Sequence, residues 1–146
     1  LRDSGVTSAV VDFGGSILTI GDNNGESWNI TITADETNSP VGTLKVNEGY
    51  IATSNGAKRF VEYDGVKYHH IIDPDTSYPA DSGVKSCTVY SESGLISDAL
   101  STAFFVMGAD KTAEFYSKYN IAEYIITLTD GTIITSDGIA ADFTAS

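Results

Sequence analysis

Three short constellations gather the side chains able to hold a cation or move a proton. The first is Tyr68-His69-His70-Ile71-Ile72-Asp73-Pro74-Asp75-Thr76. Histidine titrates nearest neutral pH and so suits proton transfer. Neighbouring residues of a strand point to opposite faces, so the two histidines cannot chelate together and at most one faces a site. Pro74 ends the strand and holds Asp73 extended. Spacing alone favours a plainer arrangement, a strand end with one solvated and one packed histidine. The second constellation is Ser97-Asp98-Ala99-Leu100-Ser101-Thr102. Asp98, Ser101 and Thr102 stand at i, i+3 and i+4 on one helix face, with Leu100, Ala103 and Met107 opposite. A carboxylate with hydroxyls one turn away offers hard oxygens suited to magnesium. Taken alone, Asp98 is better explained by the attraction of acids to a helix N-terminus. The third is Asp12-Phe13-Gly14-Gly15-Ser16, where two glycines could bring backbone close to a ligand but by themselves read better as a simple turn of the chain.

Charge narrows the possible partners. The chain of 146 residues carries 20 acidic and 8 basic side chains, a formal net charge of −12. Such a chain repels polyphosphate backbones, which argues against nonspecific nucleic-acid or anionic-membrane binding. An anionic ligand would need a bridging positive charge, for which a divalent cation is the economical choice. A single cysteine, Cys87, excludes an internal disulfide and a cysteine-based zinc site. Apolar residues at 41% and aromatics at 10% are ordinary globular usage, enough for one domain or a large part of one. No apolar run approaches the roughly 18 residues of a membrane span.

The elements that must position these residues are mostly strands. Leu1-Arg2-Asp3-Ser4-Gly5 reads as a last helical turn closed by a glycine. Strands are expected at Ser8–Phe13, Ile17–Ile20, Trp28–Thr33, Thr43–Val46, Tyr50–Thr53 and Lys58–Tyr63, from β-branched runs and alternation between turn clusters. Asp64-Gly65, between Phe60–Tyr63 and Val66–Tyr68, is a strong hairpin signal. After Pro79, a strand at Val84–Tyr90 leads into a helix at Leu95–Met107, whose apolar positions include Leu95, Leu100 and Phe104. Gly108 ends it, and a second helix is expected at about Asp110–Tyr119. Strands at Tyr124–Thr129 and Thr132–Thr135, joined by Asp130-Gly131, close the chain. The fold expected is α+β, an antiparallel sheet layered with two helices in its C-terminal half. Leu100, Phe104 and Val106 should be buried, with Asp98 facing a cleft.

In this order the pieces resemble the FAD:protein FMN transferase family, often called ApbE. The resembling segments are Asp12-Phe13-Gly14-Gly15, Thr53-Ser54-Asn55-Gly56 with Arg59, and His70-Ile71-Ile72-Asp73-Pro74-Asp75-Thr76-Ser77. Ser86-Cys87-Thr88-Val89 and Ser97-Asp98-Ala99-Leu100-Ser101-Thr102-Ala103 follow, so the likeness spans nearly the whole chain. Ser77 stands where the family usually has glycine, and Asn55 precedes Gly56 where a glycine is expected one place earlier.

The resemblance implies a magnesium-dependent enzyme of T-fold-like architecture. Such an enzyme splits FAD, releases AMP and joins FMN to a threonine or serine of an acceptor protein. It assigns Asp98 and Thr102 to the metal, His70 to catalysis, and Gly14, Gly15, Ser54, Arg59 and Asp73 to the flavin nucleotide. It implies that residues 1–146 are the C-terminal portion of one transferase domain. The N-terminal half, which supplies much of the adenine pocket, is expected upstream, so the chain by itself should be a poor enzyme. It also implies an extracytoplasmic setting in bacteria, with any membrane anchor in that missing half. Two other functions share these motifs or dispense with them: an FAD-binding or FAD-pyrophosphatase module without transfer, and a β-rich interaction domain.

Overall fold

The computed structural model describes residues 1–34, 39–57 and 59–146. Turn residues cut the chain into short strands: β1 (Ala9–Asp12), β2 (Ser16–Ile20), β3 (Trp28–Thr33), β4 (Pro40–Val46), β5 (Gly49–Asn55), β6 (Phe60–Tyr63) and β7 (Val66–His69). Then come β8 (Val84–Ser91), the helical segment α1 (Gly94–Tyr119), β9 (Glu123–Leu128), β10 (Ile133–Thr135) and β11 (Phe143–Ala145). The opening Arg2–Ser4 is a single 3-10 turn closed by left-handed Gly5. Lys58, where the sixth strand was expected to begin, lies outside the described residues.

An antiparallel sheet in the order β1-β2-β5-β8-β9-β10 forms the centre. A second sheet, β11-β4-β3, and the hairpin β6–β7 complete the strand pairing. Alternation along the central strands feeds two cores. On β9, Tyr124 and Ile126 pack with Phe104, Phe105, Cys87 and Val89 beneath α1. Their neighbour Ile125 points the other way, against Ile30, Ile32, Leu44 and Val46 of the small sheet. The domain is therefore three layers deep, helix on sheet on sheet, and β8 is buried on both faces. Phe104 and Phe105, 1% and 2% exposed, anchor the helical layer. Burial of each contributes roughly 2–3 kcal/mol.

The helical region forms as expected, with its break at Gly108. There φ is 79° and ψ 173°, a conformation open to glycine and strained for any other residue. Other details differ. Leu95 is 82% exposed, and the buried stripe of α1 runs through Ser97, Ser101, Phe104, Phe105, Gly108 and Thr112. Leu100 and Val106 are only half-buried. The helix lies on hydroxyl-lined parts of β5 and β8, so small polar residues allow its close approach. A last strand, β11, also pairs with β4 beyond the two strands expected to close the chain.

Between neighbours β5 and β8 the chain leaves the sheet, makes hairpin β6–β7 and returns. That excursion carries His70 back to the end of β5.

Candidate active site

The end of β5 forms one wall of a cavity of about 270 Å³. Across it lies the turn between β1 and β2. The Thr53 N–H donates to the Gly15 carbonyl at 3.1 Å, pinning this turn to β5. The Gly14 N–H donates to the Asp12 carboxylate at 2.7 Å. Gly14 and Gly15 have φ of 83° and 141°, and open space surrounds both α-carbons. Backbone conformation therefore demands glycine here, and the cavity meets bare main chain.

The first turns of α1 supply another wall. Asp98 and Thr102, one turn apart and both exposed, line the cavity. Ser101, expected on the same face, is 1% exposed and turned into the sheet. At about 100° per residue it leans from Asp98 in the direction opposite to Thr102, and that direction is toward β5. Its hydroxyl donates to the Asp98 carbonyl at 2.9 Å and lies 2.9 Å from Ser54 Oγ. Ser54 Oγ is also 2.9 Å from Thr102 Oγ1.

The histidines divide as strand alternation requires. His69 points inward: Nε2 donates to the Ala80 carbonyl at 3.1 Å and Nδ1 accepts the Ile71 N–H at 3.3 Å. Its ring stands edge-on to Phe105 at 5.6 Å, and a side chain at Gly56 would collide with it. Both ring nitrogens serve the fold. His70 is exposed and lines the cavity. Its Nδ1 lies 3.1 Å from the Arg59 carbonyl, which can only accept, so Nδ1 carries the proton. In the neutral ring Nε2 is then the nitrogen with the lone pair, the state a proton acceptor needs.

Of the residues singled out from sequence, Gly14, Gly15, Ser54, Arg59, His70, Asp98 and Thr102 line this one cavity. Asp73 does not. Its carboxylate accepts the Asp75 N–H at 2.8 Å, and its main chain bonds Tyr78 and Ser77, so it shapes its own loop. In that loop Ser77 has φ of 62°, which accounts for glycine being usual there. Phe13, Ser16, Thr53 and Asn55 also line the cavity; the sequence segments contained them but gave them no role. Each lies beside a residue assigned to the site; Phe13, 71% exposed beside the glycines, carried the clearest signal as an aromatic at a strand end.

A larger cavity of about 690 Å³ lies beyond the N-terminus of α1, lined by Glu48, Glu92, Glu123 and Tyr90 among others. Burial, and then Glu92, Asp142 and Glu48, push the Tyr90 hydroxyl above its ordinary range. That acidic wall has no histidine or arginine and disfavours a phosphate ligand.

Comparison with known proteins converges on one family. The model of the ApbE family matches residues 1–126. The FAD:protein FMN transferase of Treponema pallidum is 33% identical over 143 residues, covering 90% of this chain and 40% of the relative. That of Haemophilus influenzae is 33% identical over 135 residues, covering 90% and 39%. The crystal structure of the ApbE protein from Thermotoga maritima superposes with a TM-score of 0.82 at 35% identity, over 92% of this chain and 44% of that one. Flavin transferase ApbE from Vibrio cholerae gives 0.77 at 30% identity, over 97% and 46%. The chain thus spans about 40% of the length of the curated relatives it matches.

Proposed function

The chain belongs to the ApbE family, and on that premise we propose that it is part of a magnesium-dependent FAD:protein FMN transferase. The carrying observation is the convergence of an acid, a cation, hydroxyls, a histidine and bare glycine backbone on one cavity. In this reading an acceptor hydroxyl of a threonine or serine attacks the phosphorus nearer the riboflavin. Its oxygen forms the new P–O bond, the pyrophosphate bond breaks, and AMP leaves with the bridging oxygen. The hydroxyl proton passes to His70 Nε2, the nitrogen that the contact between Nδ1 and the Arg59 carbonyl leaves as the acceptor of the neutral ring. The Arg59 guanidinium is suited to phosphate oxygens. Gly14 and Gly15 let the nucleotide lie against main chain.

The donors present fit magnesium. Asp98 and Thr102 offer one carboxylate and one hydroxyl on a single helix face. Magnesium characteristically takes one or two carboxylates and completes its shell with water and substrate phosphates. Among the described residues no group of three or more His, Cys, Asp or Glu is placed to hold a metal, which suits this sparse arrangement better than a zinc cage. When bound, the ion supplies positive charge to the pyrophosphate oxygens, which a chain of net charge −12 otherwise repels.

No helix among the described residues is long and apolar enough to cross a membrane. An extracytoplasmic location is part of the same proposal and rests on the family resemblance.

The test is incubation of a full-length protein that carries this chain with FAD, magnesium and a peptide bearing the acceptor hydroxyl. The reading expects AMP and flavinylated peptide in equal amounts. AMP with free FMN, and no labelled peptide, would instead make the protein an FAD pyrophosphatase.

A further inference from the structure

Proton counting in the hydroxyl cluster beneath the cavity gives Ser54 a role of its own. A hydroxyl has one proton to donate and lone pairs to accept. Ser101 gives its proton to the Asp98 carbonyl. In the contact between Ser54 and Ser101, Ser54 must therefore be the donor. That uses the only Ser54 proton, so in the contact between Ser54 and Thr102 the donor must be Thr102. The Thr102 proton points down to β5, and what its oxygen offers the cavity is lone pairs alone.

We propose that Ser54 is a positioning residue that holds Thr102 as an obligate acceptor, fitting it to bind a divalent cation and unfitting it to donate to a phosphate oxygen. The proposal rests on the cation reading of this cavity. The direction of every bond follows from one fixed point, the Asp98 carbonyl, which cannot donate. Because Asp98 also presents its carboxylate to the cavity, a single residue both contributes the charge and anchors the chain of protons that orients the second oxygen. Ser101, which lines no part of the cavity and is 1% exposed, belongs to the relay. Without it, Ser54 is free to donate to Thr102, and Thr102 to turn its proton into the cavity. Ser54, which the resemblance placed among the flavin contacts, thus acts through Thr102.

The test is Mn²⁺ binding to the purified protein, read from the loss of the free-ion electron paramagnetic resonance signal, beside thermal melting. Removing an outer partner of a metal ligand typically weakens affinity by about 10–100-fold. Ser54→Ala and Ser101→Ala should each weaken Mn²⁺ binding by about 10-fold, and by no more than Thr102→Val, through which both act. The double variant should be no weaker than either single, since both break one relay. Ser54→Thr, which keeps a hydroxyl, should restore binding. On a Thr102→Val background Ser54→Ala should add nothing. A full further loss on that background would overturn the proposal, because Ser54 would then be a ligand itself. Unchanged affinity in both Ser54→Ala and Ser101→Ala would overturn it too. Asp98→Asn separates this inference from the reading beneath it. Wild-type Mn²⁺ affinity in Asp98→Asn removes the cation site and the relay with it. Loss in Asp98→Asn, with none in Ser54→Ala, removes the relay alone.

Discussion

The Arg59 carbonyl oxygen accepts both the backbone N–H and the Nδ1–H of His70, each at 3.1 Å. One acceptor thus fixes the strand end and the ring tautomer together, making Nε2 the acceptor nitrogen of the neutral ring. His70→Ala should lower FMN transfer by about 100-fold or more and leave the magnesium dependence nearly unchanged. His69→Ala should act on stability, because it strands the buried partners of a packed ring at a cost of about 1–3 kcal/mol. Paired measurements of turnover and urea unfolding on the two variants check this. Full turnover in His70→Ala would make that residue structural as well.

Ser77 occupies the left-handed region with φ of 62°, where an L side chain meets its own carbonyl. Its backbone N–H donates to the Asp73 carbonyl at 2.8 Å, and that bond holds the loop. Ser77→Gly should therefore raise stability, by about 0.5–1 kcal/mol after allowing for glycine's larger unfolded-state entropy. Equilibrium urea unfolding reads the change, and a loss of stability would contradict the strain account.

Cys87 is 0% exposed between Val89 and Ile126 in the core beneath α1. Burial alone pushes its thiol far above the ordinary range, so almost no thiolate forms near neutral pH. A thiol reagent under mildly alkaline conditions should label the native protein only as fast as it unfolds, and label one equivalent in denaturant. Rapid labelling of the native state would place Cys87 nearer solvent.

Local chemistry made much of the fold legible. Asp64-Gly65 forms the expected tight turn, with φ of 53° and 77°, and Asp130-Gly131 joins β9 to β10. These signals sit within a few residues of what they specify. The division into two stacked sheets was not legible, because it depends on which strands meet across the chain. The last strand, β11, is only Phe143–Ala145, and its place is set by Gly42, where any side chain would collide with Phe143. The buried face of α1 was misjudged at Leu95 because its stripe is rich in serine and threonine, which carry no hydrophobic signal. Those hydroxyls matter only opposite Ser54, Ser91 and Tyr50, their partners across the layers. Motif order brought the candidate site residues to attention, whereas spacing alone left His70 and Asp98 with plainer readings.

In the proposed function, the carboxylate of Asp98 and the hydroxyl of Thr102 bind the ion that FAD cleavage requires. FMN transfer by a full-length protein that carries this chain, measured across a magnesium titration, is the deciding measurement. Asp98→Asn keeps the shape and removes the charge, so the magnesium requirement should shift upward by about 10-fold or more, with activity partly restored at excess magnesium. Thr102→Val should shift it in the same direction by less. A wild-type magnesium curve in Asp98→Asn would mean that this carboxylate is not a ligand and that the cation is held elsewhere.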